Sequence, residues 1–137
     1  MVAFTVDGKP IPQGSKTVFM VKGRPVLADA NSKALAPWRK QVKAAAESAW
    51  GGRVALVGPV AVRVVFRFER GKTVRREHMT TKPDGDKLLR AVCDALTAAG
   101  VWADDSHVVH FDVTKRYAGG AESAGAFVEV GVIEEEK

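Results

Sequence analysis

Apolar and polar residues alternate with two different periods along this chain, and each change of period marks a new element. From Val60 to Phe68 the alternation is clean, with Val60, Val62, Val64 and Phe66 on one face and Arg63 and Arg67 beside Val65 on the other. A period of two over this length predicts a strand with one buried face. Weaker signals of the same kind predict further strands at Val2–Val6, Thr17–Val21, Pro25–Ala28, Val108–Tyr117 and Ala126–Ile133.

Two other segments repeat their apolar residues every three or four positions, which is the pattern of amphipathic helices. The first runs from about Ser32 to Trp50, and Asn31 or Ser32 is placed to cap it. The second runs from about Asp86 to Ala99 and stops at Gly100, where a left-handed cap fits. The two apolar stripes consist of Leu35, Trp38, Val42, Ala45 and Ala46, and of Leu88, Leu89, Val92, Cys93 and Leu96.

The order of these elements is β, ββ, α, β, α, β, β, which predicts an α+β fold with two main helices packed on a mixed sheet. A length of 137 residues predicts a single domain, residues 1–137. No apolar run approaches a membrane-spanning length and no leader pattern precedes the first strand, so we expect a cytoplasmic protein without a membrane partner. The single cysteine, Cys93, excludes an intrachain disulfide and a thiolate zinc cluster.

The charge is unevenly distributed. Residues 119–137 contain five glutamates and one lysine, which gives them a net charge of −4. Because the net charge of the whole chain is +5, residues 1–118 carry a net charge of +9. A basic body of this kind indicates a polyanionic partner, most often nucleic acid. Two basic segments are candidates for phosphate binding, but each also has a simpler interpretation. The loop 69–82 is otherwise a solvated linker, and the hairpin tip is otherwise an exposed turn. The candidate phosphate ligands in them are Arg70, Lys72, Arg75, Arg76 and Lys82, together with Lys22 and Arg24.

Four aspartates flank the second predicted helix. Asp84 and Asp86 lie at its start, and Asp104 and Asp105 follow its end. Helix capping and the helix dipole account for an aspartate at such a start without any metal. If the strand that begins at Val108 lies beside the Val60–Phe68 strand, however, Asp105 approaches the first pair. Carboxylates gathered in this way suit Mg²⁺ or Mn²⁺, and in a basic protein they indicate metal-dependent phosphodiester chemistry.

Arg90 follows Asp86 by four residues, so both project from one face of the helix. The pair is either an ordinary surface ion pair or a cation held over a scissile phosphate, where it stabilises developing negative charge. Lys87 is placed to add to that positive field. Trp102 is expected to be a packing wedge that fixes the turn before Asp105, in preference to a platform on which a nucleobase stacks. The three histidines form no metal-binding or catalytic pattern.

The stretch P-D-G-D-K-L-L-R-A-V-C-D-A-L-T-A-A-G-V-W-A-D-D-S-H-V-V resembles the signature of RusA-type Holliday junction resolvases. In that family a D-x-D-N-x-x-K block leads a helix that ends in D-A-L-x-x-A-G, and an aromatic-x-D-D-x-x-V follows. The resemblance extends over about residues 60–118. It implies a homodimeric, Mg²⁺-dependent endonuclease that nicks four-way DNA junctions symmetrically in recombination and repair, without a small-molecule cofactor. Such proteins are often encoded by phages or prophages of bacteria.

The resemblance assigns Asp84, Asp86 and Asp105 as the catalytic, metal-binding aspartates, and Arg90 as the counterpart of the family's essential lysine. Two positions depart from the pattern, because Lys87 replaces an asparagine and Arg90 replaces the lysine. Arginine stays charged at any ordinary pH, so it replaces a lysine that acts as a charge but not one that gives up a proton. A nuclease for other branched or flapped DNA, and a catalytically impaired branched-DNA-binding protein, are the alternative functions.

Overall fold

The computed structural model describes residues 1–14, 16–29 and 32–134, without the side chains of residues 16–19, 27–29 and 32. The predicted order of elements is confirmed, and each boundary lies within two residues of its predicted position. The elements are β1 (Val2–Asp7), β2 (Lys16–Val21), β3 (Arg24–Asp29), α1 (Ser32–Trp50), β4 (Val60–Phe68), α2 (Gly85–Ala98), a 3-10 turn (Asp105–His107), β5 (Val108–Tyr117) and β6 (Gly125–Val132). The predicted cap of α1 lies outside the described residues for Asn31 and outside the described side chains for Ser32.

Four strands form one mixed sheet in the order β1-β6-β4-β5, and β2 and β3 form a separate hairpin. β4 pairs in parallel with β5 and antiparallel with β6, while β1 pairs antiparallel with β6. The fold is therefore α+β with a mixed sheet and two helices, as predicted. The neighbourhood of β4 and β5, on which the approach of Asp105 to α2 depended, is also confirmed. No helix in the described part of the chain is long and apolar enough to cross a membrane.

The core lies between one face of the sheet and the two helices. Alternate side chains of β4 point into it, and the predicted apolar stripes of both helices meet them. Burying such side chains contributes roughly 1.5–3 kcal/mol each, which accounts for the clean alternation of β4. Buried members from these three elements include Val60, Val62, Val64 and Phe66 of β4, Leu35, Trp38, Val42 and Ala46 of α1, and Leu88, Val92 and Leu96 of α2.

Arg67 departs from the expected solvent-facing row of β4, because its side chain is buried. Its Nε donates a hydrogen bond to the Ser123 carbonyl oxygen at 3.0 Å, and an Nη lies 3.8 Å from an Asp7 carboxylate oxygen. Gly125 makes room for this arrangement. A Cβ at that position would lie 2.2 Å from the Val6 carbonyl oxygen and 2.6 Å from an Arg67 nitrogen. The strand therefore requires glycine there for space, not for backbone conformation.

The acidic C-terminal region is partly neutralised by arginines of the sheet. Glu122 accepts two hydrogen bonds of 2.8 Å from Arg116, and Glu129 lies 3.1 Å from Arg63. These hydrogen bonds from Arg116 lower the pKa of Glu122 to about 2. Residues 135–137, which carry the rest of the predicted acidic end, lie outside the described residues.

The turn after α2 places the start of β5. Gly100 has a φ of +78°, the left-handed conformation expected at this cap. Trp102 is 1% exposed and its Nε1 donates a 2.7 Å hydrogen bond to Thr97 Oγ1. The Val101 carbonyl oxygen accepts a hydrogen bond from Leu56 N at 2.8 Å, which ties the turn to the segment before β4. The prediction that Trp102 is a packing wedge is confirmed.

Candidate active site

Asp84 and Asp86 lie on either side of the first residue of α2. Asp84 has an extended backbone (φ −74°, ψ 138°), and its carbonyl oxygen accepts the first helical hydrogen bond, from Leu88 N at 3.1 Å. Its carboxylate makes no capping hydrogen bond, and both aspartates are exposed. Capping therefore does not account for the Asp84 side chain, whereas the position of Asp86 in the first turn suits the helix dipole.

Asp105 is the first residue of the 3-10 turn that leads into β5, and its neighbour Asp104 caps the N-terminal end of that turn. Asp104 Oδ2 accepts a hydrogen bond from Ser106 N at 3.1 Å, and hydrogen bonding to Ser106 lowers the pKa of Asp104. Asp105 is also exposed, and its carboxylate is not the capping group. Both aspartates are thus exposed, but the carboxylate of Asp104 is engaged in a capping hydrogen bond.

The charge of Asp105 acts on the middle of α2. Burial, followed by the charges of Asp105 and Asp94, raises the pKa of the Cys93 thiol to about 12. Asp86 precedes Cys93 by seven residues, two helical turns or about 10 Å along the same face. In residues 1–14, 16–29 and 32–134, no three His, Cys, Asp or Glu side chains are close enough together to hold a metal ion. The carboxylates have the oxygen chemistry that Mg²⁺ prefers. Asp84 and Asp86, however, lie at the start of α2 and Asp105 lies in the 3-10 turn beyond its end, and the three form no closed cluster.

Arg90 is exposed one turn after Asp86, and no ion pair joins the two in the described part of the chain. Its guanidinium therefore remains open to a ligand. Lys87 is half-buried and lines a groove together with Asp84. The helix start thus combines carboxylates with two cationic side chains on successive turns.

Lys115 of β5 fixes the loop that leads into α2. Its ammonium donates hydrogen bonds to the Thr81 carbonyl oxygen at 2.5 Å and to the Pro83 carbonyl oxygen at 2.9 Å. Gly85, the first residue of α2, approaches the same strand, since a Cβ there would lie 3.8 Å from Val113 Cγ1. The position of Asp84, between these two contacts, is set by β5.

Two adjoining grooves cross the surface in front of this loop. The larger, of about 610 Å³, extends from Tyr117 and Arg76 to Pro83, and the smaller, of about 540 Å³, contains Asp84 and Lys87. Both are lined by Lys9, Lys82 and Pro83, so the two form one continuous path. Lysines at the junction of the grooves give the path a positive field next to the Asp84 carboxylate.

The far wall of this path is the loop between β1 and β2, which is held at both ends. Gly8 N donates to the Ala124 carbonyl oxygen at 2.9 Å, and Gln13 N donates to the Lys87 carbonyl oxygen at 3.0 Å. The Gln13 side chain also accepts a hydrogen bond from Arg39, which forms a 2.8 Å ion pair with Asp94 of α2. Lys9 lies between Gly8 and Gln13, the two residues at which the loop is held, and it lines the same path as Asp84.

The predicted basic loop is anchored beside the larger groove. The Arg70 guanidinium lies 4.3 Å from the centre of the Tyr117 ring and that of Arg76 lies 5.9 Å from it, within range of cation–π attraction. Arg70 also donates to the Arg76 carbonyl oxygen, and Met79 of the same loop is buried. These contacts argue against a purely solvated linker. Lys72, Arg75 and Lys82 are exposed.

The remaining predicted cations, Lys22 and Arg24, are exposed on the separate hairpin. Lys22 and Gly23 both have positive φ, 51° and 77°, which is the geometry of a tight two-residue hairpin turn. Neither residue lines the two grooves. The basic tip is therefore confirmed as a hairpin turn, while its contact with phosphates stays a prediction.

Three residues of the site were not anticipated from the sequence: Lys9, Lys115 and Tyr117. Lys9 belongs to a loop rich in turn formers, and only the docking of that loop on α2 brings it to the groove. Lys115 and Tyr117 belong to a predicted strand, but alternation alone did not indicate which of its faces meets the helices. The sequence signal that was present is the pairing of a lysine with an aromatic residue at a spacing of two, on one face of β5.

An α+β domain that sets exposed carboxylates at a helix start beside a cationic groove has the features of a nuclease. The family model for the endodeoxyribonuclease RusA matches residues 7–130, so the chain belongs to the RusA endodeoxyribonuclease family. The chain is also similar to the uncharacterized protein YqaN of Bacillus subtilis (strain 168). The two are 31% identical over an alignment of 130 residues, and the match covers 85% of this chain and 88% of YqaN.

Proposed function

We propose that this protein is a Mg²⁺-dependent endonuclease that nicks four-way DNA junctions, with Mn²⁺ able to replace Mg²⁺. The observation that carries the proposal is the position of Asp84 in a groove whose other polar residues include Lys9, Lys82 and Lys87. A polyanionic backbone drawn into this groove by its lysines comes to lie beside a carboxylate that makes no capping hydrogen bond. Membership of an endodeoxyribonuclease family supports the same chemistry.

The carboxylates Asp84, Asp86 and Asp105 form no closed cluster by themselves, so they would hold the metal together with phosphate oxygens of the bound DNA. The metal would supply an activated water and stabilise the leaving oxygen. Lys9 and Lys82 bind the phosphate at the junction of the two grooves, and Lys87 adds to the field at the helix start. The basic loop, with Arg70, Lys72, Arg75 and Arg76, and the hairpin cations Lys22 and Arg24 extend the contact to neighbouring phosphates. Each such contact makes binding more sensitive to salt.

Arg90 acts as a fixed positive charge. Its guanidinium is exposed, makes no ion pair with Asp86 and lies on the same face of α2, so it can approach a phosphate bound beside Asp86. Because arginine keeps its proton, it stabilises the negative charge of the transition state and leaves protonation of the leaving group to solvent. In a nuclease that works in this way, the cleavage rate does not fall with pH through deprotonation of a lysine at this position.

Symmetric nicking requires two sites on two opposed strands, so we infer that the protein acts as a homodimer in recombination or repair. A two-fold dimer presents the same groove twice, once to each strand of the junction. Light scattering of the free protein tests this part separately, and a monomer at the concentration of the cleavage assay would contradict symmetric nicking.

The decisive experiment measures cleavage of labelled four-way, three-way and flap DNA with Mg²⁺ and with EDTA, for the wild type, Asp105→Asn and Asp104→Asn. Asp104→Asn is the matched control. Asp104 caps the turn, and because asparagine also caps, this variant is expected to keep its cleavage activity. We expect Asp105→Asn to lose cleavage by at least about 100-fold while its DNA affinity changes little, because affinity comes from lysines and arginines.

The outcomes separate the candidate functions. Cleavage by Asp105→Asn at the wild-type rate would exclude this carboxylate from the metal site. A wild type that prefers flap or three-way DNA would indicate a nuclease with another branched substrate. Binding of the junction without cleavage in Mg²⁺ and in Mn²⁺ would indicate a branched-DNA-binding protein that has lost activity.

A further inference from the structure

The larger groove has more apolar wall than a phosphate-binding track requires. Phe68, Met79 and Tyr117 are each less than 10% exposed and line it, with Val74 and Pro83 between them. Its volume of about 610 Å³ lies in the range of pockets that accept small organic ligands. Tyr117 also holds Arg70 and Arg76 of the basic loop through its ring, but a surface that binds only sugar and phosphate has no need of an apolar wall beyond that.

The groove also contains a polar group without a partner. Tyr117 is only 8% exposed, and its buried hydroxyl makes no hydrogen bond within the described residues. Buried hydroxyls are nearly always hydrogen-bonded, since leaving one unsatisfied is unfavourable. An aromatic wall with an unused donor and acceptor favours a ligand that is flat and carries polar groups on its edge.

The groove is continuous with the candidate active site. Lys9, Lys82 and Pro83 line both grooves, and Asp84 follows Pro83 directly in the chain. A phosphate held by the two lysines has the Asp84 groove on one side and the apolar groove on the other. Whatever occupies the apolar groove is therefore attached to, or next to, the nucleotide whose phosphate lies at Asp84.

We propose that the larger groove binds a single unstacked nucleobase of the DNA strand, adjacent to the phosphate that is cleaved. The inference rests on the proposed function and adds to it a base-binding site. Enzymes that need a base out of its stack hold it between apolar and aromatic side chains and contact its polar edge. Bases at the centre of a branched DNA have incomplete stacking, so less energy is needed to bring one into the groove than in a continuous duplex.

The three methionines of the chain make a direct test feasible. Met79 lies in the groove and is 9% exposed, whereas Met1 and Met20 are 87% and 68% exposed and lie elsewhere. In protein labelled with ¹³C at the methionine methyl groups, a short single-stranded oligonucleotide should shift the Met79 signal through the ring current of its base. The probe for comparison is an oligonucleotide of the same length whose sugars carry no bases. It should bind through its phosphates and leave Met79 unshifted, and Met1 is the internal reference for both.

Two variants complete the test. Thr81→Trp, at an exposed position on the groove wall, should weaken oligonucleotide binding about tenfold and abolish the Met79 shift. Its matched control is Thr114→Trp, an exposed threonine on the opposite face of the sheet, which should change neither. Tyr117→Phe should weaken binding of the base-containing probe without lowering the melting temperature, because the hydroxyl makes no hydrogen bond in the protein.

Equal Met79 shifts with both probes, or no shift with either at saturation, would overturn the base site. So would an oligonucleotide that does not bind. A base-dependent Met79 shift in a protein that cuts no branched DNA would retain the base site and reject the nuclease. Junction cleavage at the wild-type rate by Thr81→Trp would retain the nuclease and reject the base site.

Discussion

Replacing Lys115 with methionine removes the ammonium group that ties β5 to the loop ahead of α2, and keeps the aliphatic stem. The two hydrogen bonds that are lost, to the carbonyl oxygens of Thr81 and Pro83, come from a charged donor. Hydrogen bonds of this kind contribute about 1.5–3 kcal/mol where they are shielded. Thr81 is exposed and Lys115 is half-buried, so solvent reduces the sum, and we expect a loss of about 2 kcal/mol.

Urea unfolding measures this loss without reference to any activity, and Lys43→Met, at an exposed position on α1, controls for the change in net charge. We also expect the rate of junction cleavage at saturating DNA to fall by about 100-fold, because a displacement of about 1 Å at Asp84 is enough for that effect. DNA affinity should change no more than in the control. Unchanged stability would refute the reasoning outright, and a loss of stability at an unchanged cleavage rate would show that Lys115 holds the loop without positioning Asp84.

Three other predictions concern the scaffold. Gly125→Ala should destabilise the protein by about 3 kcal/mol or more in urea unfolding. Gly131→Ala in the same strand should be nearly neutral, because the added Cβ would lie 3.8 Å from its nearest neighbour. Equal effects of the two substitutions would contradict the close packing at Gly125. The pKa of Glu122 is lowered to about 2 from 4.5, so its contribution to stability is complete above about pH 4.5 and is lost as the pH falls toward 2. The stability difference between wild type and Glu122→Gln should therefore shrink over that interval, and a constant difference would count against the Arg116 contact. Burial and neighbouring carboxylates raise the pKa of Cys93 to about 12, so thiol reagents at about pH 8 should modify it only after unfolding, and prompt modification would place it at the surface.

The parts of the fold that follow from local patterns were predictable from the sequence. The clean alternation in β4 and the two apolar stripes reflect one-sided burial, which depends on residues close together in the chain. Arg67 was misplaced because its burial depends on the Ser123 carbonyl and on the space left by Gly125, both far away in sequence. Lys9 was missed for the same reason, since its loop acquires a position only by hydrogen bonding to Ala124 and Lys87.

The most consequential feature that the sequence did not reveal is a single extra residue in β5. Val60 pairs with Val108, but the next residue of β4, Ala61, pairs with His110, so Val109 is left out of the register. Residues paired across parallel strands share a face, and a shift of one residue exchanges the two faces of a strand. Without the bulge, the residues of β5 at even positions would face the helices, and a charged row would enter the core. With it, Val113 packs against Gly85, and the next two residues of that face are Lys115 and Tyr117. Both the support of the candidate carboxylate and the aromatic wall of the groove therefore depend on one irregularity that periodicity cannot detect.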